Sequence, residues 1–248
     1  MSNTVRFGIS NVHVAKYIGS ASTTWQPTHA YAADATVTAS GNVYKVTTAG
    51  TSGSTAPTWP ASGTVTDGTV TWTYVSAASL YATPLHIPGT VNLDVTSEGK
   101  ENSFAADNNA KYYDSYSNNG YSGSLEVAQM PDEVMVAIFN FIQDSVGGLV
   151  ETGDSTSEHF ALLFEVDGDA DAGRYAFYNV VAGRPSAKHS TTSDSQDPTT
   201  ESCDFSASKA PWVVVGDKQV TKRSLVSTET SKTVYDAWYD EVQVPTLA

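Results

Sequence analysis

Residues 20–78 of this 248-residue chain carry only three charged side chains, Asp34, Lys45 and Asp67. The stretch is built from Thr, Ser, Ala and Gly and holds Trp25, Trp59 and Trp72 of the five tryptophans. The whole chain has 13 Lys+Arg against 27 Asp+Glu, so nearly all of its net charge of −14 lies outside that stretch. A change of composition this abrupt, in a chain long enough for one large or two small domains, predicts a unit inserted into another.

The flanking residues agree. Val5, Phe7 and Ile9 alternate as in a strand, and Val12 and Val14 alternate in the opposite phase. That slip near Ser10-Asn11 predicts a bulge. Strand character resumes with Leu85, Ile87, Val91, Leu93 and Val95, broken by the turn signal Pro88-Gly89. The expected division is a discontinuous domain of residues 1–20 and 79–248, with residues 21–78 inserted as a small all-β domain. Loops with neighbouring ends accept such insertions. Within the insertion, Ser40-Gly41 and Asp67-Gly68 are hairpin turn signals between β-branched and aromatic runs. The loop from Gly50 to Pro60 has no strand pattern.

Farther along, residues 97–120 are polar and rich in Asn and Asp, yet contain Phe104, Tyr112, Tyr113 and Tyr116. Aromatic residues argue against disorder, so an extended hairpin that packs on a neighbouring subunit is expected. Pro131, Asp132 and Glu133 suit a helix start. Val134, Ile138 and Ile142 then share a helical face, and Gly147-Gly148 ends the helix or the turn beyond it. Strands are expected around Phe160–Val166 and Arg174–Val181. Between them, Asp167, Asp169 and Asp171 mimic a calcium loop, but Gly173 falls one place late and Tyr178 stands where the loop needs Glu. A solvated hairpin tip is the better reading. Residues 190–200 read as a Ser/Thr/Asp loop before a strand over Glu201–Ser208.

Several function classes are disfavoured. An acidic chain does not attract nucleic acid. Cys203 is the single cysteine, so neither an intrachain disulfide nor a cysteine zinc site is expected, and its alternating run suggests a small core residue. No signal peptide and no membrane-length apolar run is visible, which points to synthesis in a cytoplasm. The five histidines lie in unrelated contexts, and neither a nucleotide-cradling Gly-rich loop nor a Gly-x-Ser-x-Gly elbow occurs. No enzyme, cofactor or metal is expected. With charged residues at only 16%, the surface suits a subunit that buries much of itself in an assembly.

One family keeps the order of several of these segments. They are Thr83-Pro84-Leu85-His86-Ile87-Pro88-Gly89, Ala105-Ala106-Asp107-Asn108, Ser117-Asn118-Asn119-Gly120-Tyr121-Ser122-Gly123, Met130-Pro131-Asp132-Glu133, Phe160-Ala161-Leu162-Leu163-Phe164-Glu165, Tyr178-Asn179-Val180 and Arg184-Pro185. The chain resembles the major tail proteins of long-tailed phages, the subunits of the tail tube. That resemblance implies a mainly β fold, a tail-tube-like pair of packed antiparallel sheets with one flanking α-helix. It implies hexameric rings stacked into a tube, located in the virion tail and assembled in the host cytoplasm. The lumen would hold the tape-measure protein and then conduct DNA without binding it specifically. Tail terminator and tail tip proteins would be further partners, and no membrane is involved. Subunit contacts would fall on Phe104, Asp107, Asn108, Tyr112, Tyr113, Tyr116, Asn118, Asn119 and Tyr121.

The insertion has a resemblance of its own. Trp25, Tyr31, Val37, Gly41, Tyr44, the Gly-rich loop and Trp59 resemble small chitin-binding-type carbohydrate modules. This implies that Trp59, with Trp25 or Tyr44 as alternatives, stacks on host-surface glycans, and it makes a carbohydrate-binding adhesin the alternative function. The competing reading is that these rings are the core of a unit too small to hold much else.

Overall fold

The computed structural model describes residues 8–19, 23–168, 172–187, 199–228 and 230–245. The chain divides into two compact units, one of Met1–Tyr17 and Tyr81–Ala248 and the other of Ile18–Leu80. Strand β1 (Ile9–Lys16) opens the first unit. The second holds β2 (Thr23–Thr24), β3 (Ala30–Tyr31), β4 (Thr36–Ala39), β5 (Asn42–Thr48), β6 (Gly50–Thr51), β7 (Thr64–Asp67) and β8 (Val70–Ala77). The first unit resumes with β9 (Leu85–His86), β10 (Thr90–Glu98), β11 (Glu101–Ala106), β12 (Asn109–Tyr116) and β13 (Gly120–Val127). Helix α1 (Asp132–Phe139) follows, then β14 (Ile142–Gln143), β15 (Leu149–Val150), β16 (Phe160–Val166), β17 (Arg174–Ala182) and β18 (Ser186–Ala187). The last elements are β19 (Glu201–Ala207), β20 (Ala210–Val215), β21 (Lys218–Val220), β22 (Lys222–Leu225), helix α2 (Lys232–Asp236) and a 3₁₀ turn over Ala237–Tyr239. Among the described residues the fold is mainly β, with several antiparallel sheets and two short α-helices, as the alternating runs predict.

In the first unit, hydrogen bonding runs through one antiparallel sheet in the order β10-β13-β19-β17-β16-β1-β9, with β18 and β22 paired to β19 and β17. Strands β9 and β10 are the two ends of this path, yet only residues 87–89 separate them. Four residue steps span at most about 14 Å, so the sheet must curl until its ends approach. The predicted bulge is present: the β1–β16 register shifts between Ser10 and His13, and Asn11 takes a φ of 51°. Val5 and Phe7 lie outside the described residues.

Alternate residues on the inner face form the core. Val12 and Val14, Leu125 and Val127, Phe160 and Leu162, and Cys203 and Phe205 are buried together with Val134, Ile138 and Phe139 of α1. Burying each large apolar side chain contributes roughly 1.5–3 kcal/mol, so α1 acts as a plug for this end of the curled sheet. Burial pushes the Cys203 thiol up to about 11, which makes it an inert packing residue.

Helix α1 is shorter than its apolar period suggests. Pro131 caps it in an extended conformation, and Asn140 ends it with a φ of 56°. Asn enters the left-handed region more easily than most residues because its short polar side chain can bond locally. Here its amide donates to the carbonyl of Asn140's neighbour Thr156 and to Glu158. Ile142 therefore leaves the helical face for a small ribbon, β14–β15, and Gly147-Gly148 fall in the turn beyond the helix, the second of the two places expected for them.

Among its described residues the second unit holds a five-stranded sheet, β2-β4-β5-β8-β7, whose β2–β4 pair is parallel and whose other pairs are antiparallel, and a separate β3–β6 pair. Both turn signals are used. Ser40 and Gly41 have φ of 48° and 74°, and Gly68 has 61°. Those positive values suit the tight hairpins that β4–β5 and β7–β8 make.

Candidate subunit interface

Strands β10 and β13 pair from Thr90↔Val127 to Glu98↔Gly120, and the chain then continues beyond the sheet as the β11–β12 hairpin. At its base, Asn119 donates its backbone N–H to Glu98 O at 2.9 Å, and Asn118 Oδ1 accepts from Gly120 N at 3.1 Å. At its tip, Asp107 and Asn108 have φ of 49° and 58°. Two consecutive left-handed residues make the type I′ geometry that matches strand twist. These four predicted contact residues therefore shape the hairpin, whatever else they touch.

The aromatic residues are displayed on it. Phe104 is 62% exposed, Tyr112 and Tyr113 61%, and Tyr116 76%. Directly paired residues of an antiparallel ribbon share a face. Phe104↔Tyr113 therefore marks one face, while Glu101↔Tyr116 and Ser103↔Asp114 mark the other, with Tyr112 alternating onto it. Both faces carry large rings. A two-stranded ribbon is marginal in water even when one face is covered, and four exposed rings on so small an element form an unusual apolar display.

Tyr121 lies elsewhere. It is half-buried against Phe177, with ring centroids 5.1 Å apart, and helps to wall a groove at the end of the curled sheet that α1 does not fill. This groove, of about 680 Å³, has Phe164 and Phe177 at its floor, Leu93, Val95 and Val166 on its walls, and Lys222 at its rim. Lys222 Nζ sits 5.4 Å from the Tyr121 ring and 5.8 Å from that of Phe177.

The insertion's aromatic residues are arranged around a carboxylate. Asp67 is 4% exposed; its Oδ2 accepts from Trp25 Nε1 at 2.8 Å and Trp72 Nε1 at 3.2 Å, and its Oδ1 accepts from Gly53 N at 2.7 Å. Tyr44 and Trp72 are fully buried. Tyr44 is thus a core residue with no free face for a sugar, contrary to its expected role, and its hydroxyl donates to Pro60 O at 2.8 Å. Trp59 and Trp25 are half-buried, edge to face with centroids 6.5 Å apart, and Trp59 packs on Tyr44 at 4.4 Å. The Gly50–Pro60 loop is held by Ser52, a buried residue whose hydroxyl donates to Gln26 O at 2.7 Å.

Two clusters have no signal in the sequence. His13 and His86 are directly paired across β1–β9, with ring centroids 4.8 Å apart, and His13 stacks on Tyr239 at 4.5 Å. Burial lowers the His13 pKa; the Asn11 carbonyl opposes this and His86 reinforces it. Nearby, Arg174 Nε lies 3.1 Å from Glu165 Oε2, and its guanidinium lies 3.8 Å from the Tyr235 ring centroid. Burial, then the Glu165 charge, pushes the Tyr239 hydroxyl well above the ordinary tyrosine range. These contacts latch α2 onto the β16–β17 pair.

Among the described residues no group of three or more His, Cys, Asp or Glu could hold a metal. Asp169 and Asp171 of the calcium-like run lie outside the described residues, as does most of the 190–200 loop. Among the described residues, no helix is long and apolar enough to cross a membrane.

No protein-family model and no curated protein matches this chain. Among solved structures, it is similar to a chain of the anti-feeding prophage (AFP) baseplate determined by cryo-EM, 6-fold symmetrised, at 10% identity. The likeness covers 57% of this chain and 83% of that one, with a TM-score of 0.30. A likeness at that level fixes neither fold nor role.

Proposed function

We propose that this chain is a structural component of a phage tail, and specifically the subunit of its tail tube. The reading is carried by the β11–β12 hairpin, whose Phe104, Tyr112, Tyr113 and Tyr116 have no core of their own to enter. An element of this kind is stable once a neighbouring copy covers it. Strand β10, at the end of the sheet path, adds an edge that ring formation would protect. Hexameric rings, closed through such edges and stacked through the hairpins, would make the tube.

In that role the chain catalyses nothing. The lumen would hold the tape-measure protein and later pass DNA. A net charge of −14 would disfavour sticking to phosphates. Tail terminator and tail tip proteins would close the two ends of the tube.

The test is assembly. Negative-stain microscopy and sedimentation of the purified protein should reveal rings or tubes. Replacing residues 101–116 with a short Gly-Ser link should leave folded monomers. Dispersed wild-type monomers at high concentration would overturn the reading.

A second reading, a carbohydrate-binding adhesin, draws on the half-buried Trp59 and Trp25 side by side on the insertion. Six copies per ring would turn weak single contacts into attachment. Glycan binding by assembled protein that is lost in Trp59→Ala would support it, and equal binding by both would remove Trp59.

A further inference from the structure

We infer that the groove at the open end of the curled sheet is the receptor for the β11–β12 hairpin of a second copy of this chain. The inference rests on the assembly reading above and names the surface that the hairpin meets.

Three observations select this occupant. The first is apolar complementarity. The groove exposes Val91 at 56% and Val95 at 37%, beside half-buried Leu93, Tyr121 and Val166. The hairpin exposes Phe104, Tyr112, Tyr113 and Tyr116, each to 61% or more. Bringing the two together removes both apolar displays from water.

The second is charge. Lys222 stands at the groove rim above aromatic faces, where its ammonium lacks a carboxylate within ion-pair distance among the described residues. The hairpin face with Tyr112 and Tyr116 also presents Glu101 and Asp114, which share the single cation Lys111. That face has a carboxylate to spare and is the one that matches the rim. The Phe104–Tyr113 face is left for a different neighbour.

The third is connectivity. The groove wall is made by β10 and β13, and the hairpin is the direct continuation of those two strands. Donor and receptor surfaces are therefore distinct but adjacent on one subunit. A contact between distinct surfaces is heterologous and repeats from copy to copy, which is how a ring or a stack is generated.

Cysteine cross-linking tests this directly, since the native Cys203 is buried and unreactive. Val95 is partly exposed and Tyr112 largely so, so Val95→Cys and Tyr112→Cys spare the core. A mixture of the two variant chains should give a mixed disulfide on assembly, and neither chain alone should. Lys222→Glu in the receptor chain should cut the cross-link yield roughly three- to fivefold, and Asp114→Lys in the donor chain should restore it. Tubes that form normally without the mixed disulfide would overturn the groove assignment and leave the tube reading intact. Residues 1–7 lead into Gly8 at the groove, so Thr4→Cys is the rival donor. A disulfide from Val95→Cys to Thr4→Cys in place of Tyr112→Cys would assign the groove to that segment and overturn the inference. A chain that stays monomeric at every concentration would overturn both readings.

Discussion

Trp25 and Trp72 donate their indole N–H groups to the same oxygen of Asp67, at 2.8 Å and 3.2 Å. Gly53 satisfies the other oxygen, so one buried carboxylate joins three separate parts of the small unit. Removing it strands two indole donors and one backbone donor. Asp67→Ala should therefore destabilise the insertion by about 3 kcal/mol. Thermal unfolding followed by tryptophan fluorescence checks this; an unchanged midpoint would mean that water replaces the carboxylate.

The junction of the two units makes the insertion removable. Tyr17 and Tyr81 form a β-bridge, and Tyr17 stacks on Trp212 at 3.7 Å. Tyr81 donates to Tyr178 O at 2.5 Å and accepts from Trp212 Nε1 at 2.7 Å. The chain thus leaves and re-enters the first unit at neighbouring points that this unit itself fixes. Replacing residues 18–80 with a short flexible link should preserve its circular dichroism and cooperative unfolding. Aggregation of the shortened chain would show that the core depends on the insertion.

Arg174 anchors the C-terminal segment through Glu165, the Tyr235 ring and the Tyr235 carbonyl. The ion-pair side chains are only 16% and 15% exposed. Arg174→Ala leaves Glu165 half-buried without its cation, at a cost of about 2–3 kcal/mol, the lower end for a partly solvated pair. Hydrogen exchange should speed up across residues 232–245 before it does so in β16. Uniform protection in the variant would assign the latch to packing by Trp238 alone.

Burial of the His13 imidazole gives stability a pH dependence. The folded-state pKa of His13 lies below its unfolded value, so the unfolded chain takes up the proton first. This contribution to stability is fully present above the ordinary histidine range and is lost as pH falls through it. The wild-type melting temperature should drop between pH 7.5 and 5 by more than that of His13→Phe. Parallel curves for the two proteins would place the acid sensitivity elsewhere.

Much of this architecture was legible in the residues because it rests on local chemistry. The loss of charge over residues 20–78, the phase slip at Ser10-Asn11, and the Ser40-Gly41 and Asp67-Gly68 turns act within a few residues of chain. The aromatic loop could be read as a hairpin for the same reason: aromatic residues in a polar stretch must be covered somewhere. Tertiary structure decided what depends on distant partners. Asn140 stopped α1 before its apolar period ran out, because its side chain is held by Thr156 and Glu158. Tyr44 was buried, although its spacing suited a binding surface, because the small unit has no large aliphatic side chains in its core and rings must fill it. The His13–His86 pair, the Arg174 latch and the groove between β10 and β16 join residues tens of positions apart. Their proximity follows from the curl of the sheet, and strand periodicity carries no information about curl.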